Sequence, residues 1–395
     1  MKRGSLVRSF SSETRKRGER RSSKNVWLLG SSSFLNDVGS EMIVPLLPFY
    51  ILSLGGGGIS LGLMSGLREG LSSIFKIFGG YLSDRTGKRK NYIFLGYFIS
   101  SLFKFLLGTA GSWQALVAFV SFERFGKFRD APRDALIASD GKKHNGRDFG
   151  ITQTLDVLGG ILGMFLVLLL FWKFNFGIRN IIYIAAAISF LSLVPIIFVK
   201  EKKIKPIKKS LFRELENFPW KLKYFIFVSS FFSFANFGLS LFLLLIAKEF
   251  TGSIIASFAF YIIFNVSYAI FLVPFGKLSD KIGSKKILFS GYLLFFATMI
   301  GLFLFENIWH LALIFILYGL ISAMTYSSHR KIVSNLSDDM KGTAFGAFHT
   351  AIGIAAIFGG IVAGALWNVN PDYMFGYLAG LSLISAMLVY FVKER

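Results

Sequence analysis

Cysteine is absent from the 395-residue chain. Disulfides, thiolate catalysis and cysteine-ligated zinc are therefore excluded. Histidine is scarce: His144, His310, His329 and His349 are scattered, with no spacing typical of a metal site. No GxxxxGK[ST] loop occurs, which argues against nucleotide-driven pumping. Charge is thin for a soluble domain, at 17% against a usual figure of about 25%. The first 25 residues are rich in Arg and Lys and lack an apolar core, so they read as a basic tail rather than a secretory signal. These absences leave a soluble enzyme poorly supported, and no metal or cofactor is expected.

What is present is apolar. The chain is 53% hydrophobic and 17% aromatic, with a mean hydropathy of +0.58. The apolar residues come in blocks of about 20 or more, the length that crosses about 30 Å of hydrocarbon as a helix. Twelve spans are expected, over 26–54, 59–83, 91–110, 113–138, 149–172, 178–199, 223–247, 252–278, 287–305, 308–329, 343–367 and 371–391. In hydrocarbon each must satisfy its own backbone polar groups, which helices do.

The net charge of +22 raises nucleic acid as a partner, but its distribution argues against one. Basic residues gather in alternate loops: the tail, Arg85 to Lys90, Lys142 to Arg147, Lys200 to Lys223, Lys281 to Lys286, Arg330 to Lys341 and the C-terminal Lys393 and Arg395. The intervening loops hold few, among them Lys173, Arg179 and Lys248. The positive-inside rule then places both termini in the cytoplasm, as an even number of spans requires. The expected organisation is a basic tail over 1–25, six helices over 26–199, a basic linker over 200–222, six helices over 223–391 and a short tail over 392–395.

The two sets of six are repeats. Gly80-Tyr81-Leu82-Ser83-Asp84-Arg85-Thr86-Gly87 recurs 196 residues later as Gly276-Lys277-Leu278-Ser279-Asp280-Lys281-Ile282-Gly283, each followed by basic residues. At the same offset Phe149-Gly150 matches Phe345-Gly346, and Thr154 matches Thr350. Repeats of one orientation are a known transporter architecture. The segment Gly80 to Lys90 resembles the loop 2–3 motif of the major facilitator superfamily, G-x-L-x-D-R-x-G-[RK]-[RK]-[RK], with the weaker copy where that family places one. The resemblance spans about residues 26–391. It implies an all-α integral membrane fold of twelve helices in two pseudo-symmetric six-helix bundles, usually monomeric. It also implies that Asp84, Arg85 and Arg89, with Gly80 and Gly87, act as a latch on the cytoplasmic side, echoed by Gly276, Asp280 and Gly283. Asp134 and Asp140 are candidate partners for the latch. Topogenic charge is the plainer role of these residues.

Ionisable groups inside spans are costly and mark functional candidates. They concentrate in the first half: Asp37 and Glu41 in span 1, Arg68, Glu69 and Lys76 in span 2, Lys104 in span 3, a run from Glu123 to Asp134 in span 4, and Asp156 in span 5. Asp37 and Glu41 are four apart and share a helix face. Asp37 lies about 16 Å along the span, near the midplane, at about 1.5 Å per residue. A carboxylate there is costly to keep charged, which suits reversible protonation. A structural ion pair with Arg124 or Arg68 is the alternative. Asp156 and Glu69 are further proton-coupling candidates. Arg124 is open to three roles: binding an anionic solute, tuning Asp37, or pairing with Glu123. The resemblance places spans 1, 4, 7 and 10 around a central cavity, which brings in Asn36, Asn236, Tyr318 and Tyr326 as wall candidates; Arg68, at a depth similar to Asp37, and Asn265 and His349, which match Glu69 and Gln153 at the 196 offset, are further candidates. Gly150, Gly159 and Gly163 of span 5 resemble the first part of the antiporter motif of drug-exporting major facilitators, whose proline and glycine pair are replaced by Met164, Val167 and Leu168. The expected function is secondary transport of a small solute across the cytoplasmic membrane, proton-coupled, with drug or metabolite efflux ahead of organic-anion uptake. A membrane sensor on the same scaffold is the alternative of another class.

Overall fold

The computed structural model describes residues 24–140, 145–201, 218–304, 307–337 and 341–392. Most of the basic tail, the linker core 202–217, residues 141–144 and the last three residues lie outside the described residues, as do the side chains of Asp84, Asp140 and Arg147. Among the described residues there is no strand, and twelve helical spans follow one another in the expected order. Span 1 runs Lys24–Ile43, a 3-10 turn Val44–Leu46, then Leu47–Ser53. Span 2 is Gly58–Thr86, span 3 Arg89–Gly108, and span 4 Trp113–Phe125, a 3-10 turn Gly126–Arg129, then Asp130–Asp140. Span 5 is Asn145–Trp172, and span 6 is Ile178–Leu191 with Leu193–Ile197. Span 7 is Trp220–Ala235 with Ser240–Thr251, span 8 Ile254–Ile282, and span 9 Ser284–Gly301. Span 10 is Ile308–Leu336, span 11 Lys341–Val369, and span 12 Pro371–Tyr390.

Eight of these helices are long and apolar enough to cross a bilayer by length and composition alone. The other four are spans 1, 2, 4 and 9. Spans 1 and 4 are interrupted, span 2 carries Arg68, Glu69 and Lys76, and span 9 opens on Ser284-Lys285-Lys286. The interruption of span 1 has a direct cause: Pro45 and Pro48 supply no N–H to the helical ladder. Spans 1 and 4, expected as continuous, depart from expectation in these breaks, and so does span 7. Read as continuous from the sequence, it breaks at Asn236–Leu239, where Gly238 takes φ +103°, a conformation that glycine adopts without strain.

The halves pack alike. Span 1 lies on span 5, span 2 on span 4 and span 3 on span 6; span 7 lies on span 11, span 8 on span 10 and span 9 on span 12. The seam between halves runs along spans 2 and 11. Gly58, Gly62, Gly66 and Gly70 recur every fourth residue and meet Gly364, Gly360, Ala356 and Gly353 backbone to backbone. Any side chain on Gly62 would collide with the Gly360 carbonyl. Small residues are what allow helices to approach this closely in a bilayer. Large apolar side chains such as Phe165, Trp172, Ile270 and Phe358 stand exposed on the outside, as a lipid-facing surface requires.

The end of the bundle that carries the loops after spans 2 and 8 is termed the basic face here. At the other end the halves are stitched together. The Gly58 N–H donates to Asn368 Oδ1 at 2.6 Å, and Phe258 meets Phe49 and Phe171 edge-on at 6.0 and 5.5 Å between ring centroids.

Candidate functional site

Below those stitches, between the halves, lies a cavity of about 410 Å³. Span 2 contributes Arg68, Glu69 and Ser73, and the other walls come from spans 7, 8, 10 and 11 and the break in span 7. Its volume is within the usual range for a small-molecule pocket. Tyr318 donates to Asn236 Oδ1 at 2.8 Å and stacks on Phe264 at 5.1 Å. Tyr268 and Tyr326 meet edge-on at 6.2 Å, and the Arg330 guanidinium lies 4.3 Å above the Tyr326 ring. Asn265 turns back to donate to the Tyr261 carbonyl at 2.9 Å. The charged wall is one loose pair, Arg68 Nη1 to Glu69 Oε1 at 3.5 Å. The cavity therefore combines near-zero net charge with aromatic faces, hydroxyls and amides. Tyr326 and His329, far along span 10, carry it toward the basic face, and the Glu69 side chain is about half exposed (52%).

Span 1 sits beside this cavity, and its two carboxylates have different surroundings. Tyr261 of span 8 reaches across the halves and donates to Glu41 Oε2 at 3.1 Å. Arg68 and Arg124 lie within electrostatic range of Glu41, as does Asp37. Gly160 and Gly163 of span 5 give the Glu41 side chain its room. Asp37, one turn nearer the basic face, makes no direct cation contact among the described residues. Asn36 Nδ2 approaches its Oδ1 at 3.4 Å, and Lys127, Arg129, Arg133 and Asp156 surround it at longer range. Asp156 faces Arg133 at 3.4 Å, and Arg133 also bonds Ser33 and Asp134, tying spans 1, 4 and 5 together.

Of the residues singled out in the sequence, the structure brings Arg68, Glu69, Asn236, Asn265, Tyr318 and Tyr326 into the cavity wall. It does not bring Arg124, Asn36 or His349 there. Arg124 is buried against Glu123 at 2.7 Å, and Glu123 also accepts from Ser100 at 2.7 Å, so the neighbouring carboxylate holds Arg124 inside the first half. Asn36 is buried and accepts from Lys104. His349 lies against the rings of Phe345 and Phe348. Sequence reasoning gave no role to Lys104, Tyr261, Tyr268 or the Tyr292–His329 contact at 2.8 Å. Lys104 was visible as an intramembrane charge; the aromatic residues carried no signal beyond polarity within apolar runs.

The repeated loop motif shapes two helix ends. Gly87 takes φ +68° and caps span 2 with its N–H on Ser83 O at 2.9 Å; Gly283 takes φ +95° at the matching place. A Cβ on Gly80 would meet Ala131 of span 4 at 3.3 Å, while one on Gly276 would meet no described residue within 4 Å. Arg89 donates to Ala135 O at 3.0 Å, and its own N–H to Glu201 Oε1 at 2.6 Å, linking span 3 to span 4 and to the segment after span 6. Arg85 is exposed. In the second copy Asp280 pairs with Lys331 of span 10 at 2.6 Å. In span 5, Gly159 and Gly163 pack on the span 1 carbonyls of Phe34 and Val38, whereas Gly150 faces open space.

Comparison with known proteins agrees with this geometry. The sequence profile of the Major Facilitator Superfamily matches residues 29–265 and 224–395. An uncharacterized MFS-type transporter of Methanocaldococcus jannaschii is 44% identical over 383 residues, covering 95% of this chain and 96% of that protein. Multidrug resistance protein MdtG of Proteus mirabilis is 27% identical, covering 93% and 94%. Among solved structures, a mutant of the nucleoside transporter NupG superposes with a TM-score of 0.80 at 17% identity, over 94% of this chain and 100% of that one.

Proposed function

The chain belongs to the major facilitator superfamily, and from that premise we propose that it is a proton-coupled exporter of small, amphipathic organic solutes working by alternating access. Positive-inside placement puts the basic face in the cytoplasm, so the cavity described above is the inward-open one. The observation that carries the reading is the Tyr261–Glu41 bond. It joins a membrane-embedded carboxylate of one half to a residue of the other half that lines the shared cavity. An ionised Glu41 accepts the Tyr261 hydroxyl and attracts Arg68. A protonated Glu41 loses its charge attraction to Arg68 and about half the strength of the Tyr261 bond, because charge-assisted hydrogen bonds are about twice as strong as neutral ones. Protonation on the Asp37–Glu41 pair thus changes the tie between the halves, which is what biases an alternating-access equilibrium. Asp37, one turn away on the same helix, shares the load.

The wall chemistry favours a solute without net charge and with a planar or aromatic part. Tyrosine and phenylalanine rings offer stacking surfaces, and hydroxyls and amides offer hydrogen bonds at the edges. The likeness to a multidrug resistance protein supports outward direction. Uptake of an organic anion is the second reading, and Arg68 favours it: among the described residues its buried Nε has no hydrogen-bond partner. The test is purified protein in liposomes holding a pH-sensitive dye, challenged with cationic, neutral and anionic solutes under an imposed pH gradient. Neutral aromatic solutes that drive protons opposite to themselves support the proposal. Protons moving with anions supports the second reading, and silence across the panel supports a sensor.

A further inference from the structure

Lys104 takes no part in the cavity wall, yet it is only 1% exposed in the middle of span 3. Its ammonium donates to Asn36 Oδ1 at 2.8 Å, to Asn36 O at 3.0 Å and to Ser189 Oγ at 3.0 Å, joining spans 1, 3 and 6. Three acceptors match the three donors of an ammonium group. None of the three is negatively charged, so this ammonium is hydrogen-bonded but, among the described residues, has no counter-ion in contact. Glu123 and Asp37 are the carboxylates within its electrostatic range. Glu123 is already held by Arg124 and Ser100. Asp37 is not held in this way. The Asn36 amide stands between the two, its oxygen on Lys104 and its nitrogen toward Asp37.

We propose that Lys104 is a positioning residue for the coupling proton: through Asn36 it fixes Asp37, and its ammonium charge sets how readily Asp37 takes up a proton. This inference rests on Asp37 having a coupling role. Other charges face the same region. Span 4 presents Glu123, Arg124, Lys127, Arg129 and Arg133, and span 5 presents Asp156. Glu41 lies one turn along span 1, and Tyr97 of span 3 lies against Arg129, whose guanidinium is 4.2 Å from its ring. All of these remain when Lys104 alone is changed. Burying an uncompensated cation is costly, which favours a functional reason for its place.

The test needs no solute. The chain has no native cysteine, so spin labels can be attached at Leu158→Cys in span 5 and Ile270→Cys in span 8, both exposed. The distance between halves is followed against pH in lipid nanodiscs. In Lys104→Met the pH at which the distance switches is expected to rise by about one unit, since removing a nearby cation lets a carboxylate keep its proton to higher pH. Lys104→Gln, which keeps a donor for Asn36, gives the same rise; Lys104→Arg keeps the original midpoint. In an Asp37→Asn background, Lys104→Met no longer moves the midpoint. An unmoved midpoint in Lys104→Gln, or a shift that persists without Asp37, overturns the proposal and leaves the transport reading intact. A distance that ignores pH in the parent protein removes proton coupling itself.

Discussion

Glu41 and Asp37 lie one turn apart on span 1 but answer to different parts of the molecule. Glu41 looks across the halves to Tyr261; Asp37 looks inward to Asn36 and the cations of span 4. Tyr261→Phe keeps the ring and removes only the hydroxyl donor. The carboxylate then holds its proton to higher pH, and the optimum of solute-driven proton flux is expected to rise by about one unit. An unchanged optimum would detach Tyr261 from coupling. The sequence exposes the carboxylates because charge stands out in an apolar run. It does not expose their partners, because a span's rotation about its axis is set by packing. Arg124 illustrates this: its depth is readable from position, but its direction depends on Glu123 and Ser100, which turn it away from the cavity. Tyr261 shows the converse, an ordinary aromatic residue whose role arises only from what the other half brings to it.

Elements were legible where local chemistry decides them. Gly87 ends span 2 where the repeated motif closes, and although span 1 was read as continuous, Pro45 and Pro48 interrupt it for a reason that belongs to the residues themselves. The break in span 7 contains no proline, and Gly238 alone is too common a signal to place it. The seam of spans 2 and 11 was equally hidden. The glycines are evident as a series, but only the fold pairs Gly62 with Gly360. Gly62→Val should force the helices apart, costing about 1–3 kcal/mol of stability by overpacking. Thermal unfolding in detergent checks this, with Gly276→Ala as the control, since the added methyl would meet no described residue within 4 Å. Equal melting temperatures for the two variants would mean that the seam is looser than it is described here.

At the scale of the whole molecule, the repeat at a fixed offset and the alternation of loop charge made the twelve-helix architecture readable before any coordinates. The shape of the space between the halves was not readable, because it depends on which residues of distant spans converge. Orientation is checked with single cysteines in the cysteine-free chain. Lys173→Cys should react with an impermeant maleimide in intact cells, and Lys88→Cys only after permeabilisation; the reverse pattern would invert the topology. The central claim is that proton occupancy at the boundary of the halves drives transport, and Glu41→Gln in liposomes tests it most directly. Once a transported solute is in hand, exchange of labelled for unlabelled solute should persist in the variant, while accumulation driven by a pH gradient should be lost. Accumulation equal to that of the parent protein would contradict the account.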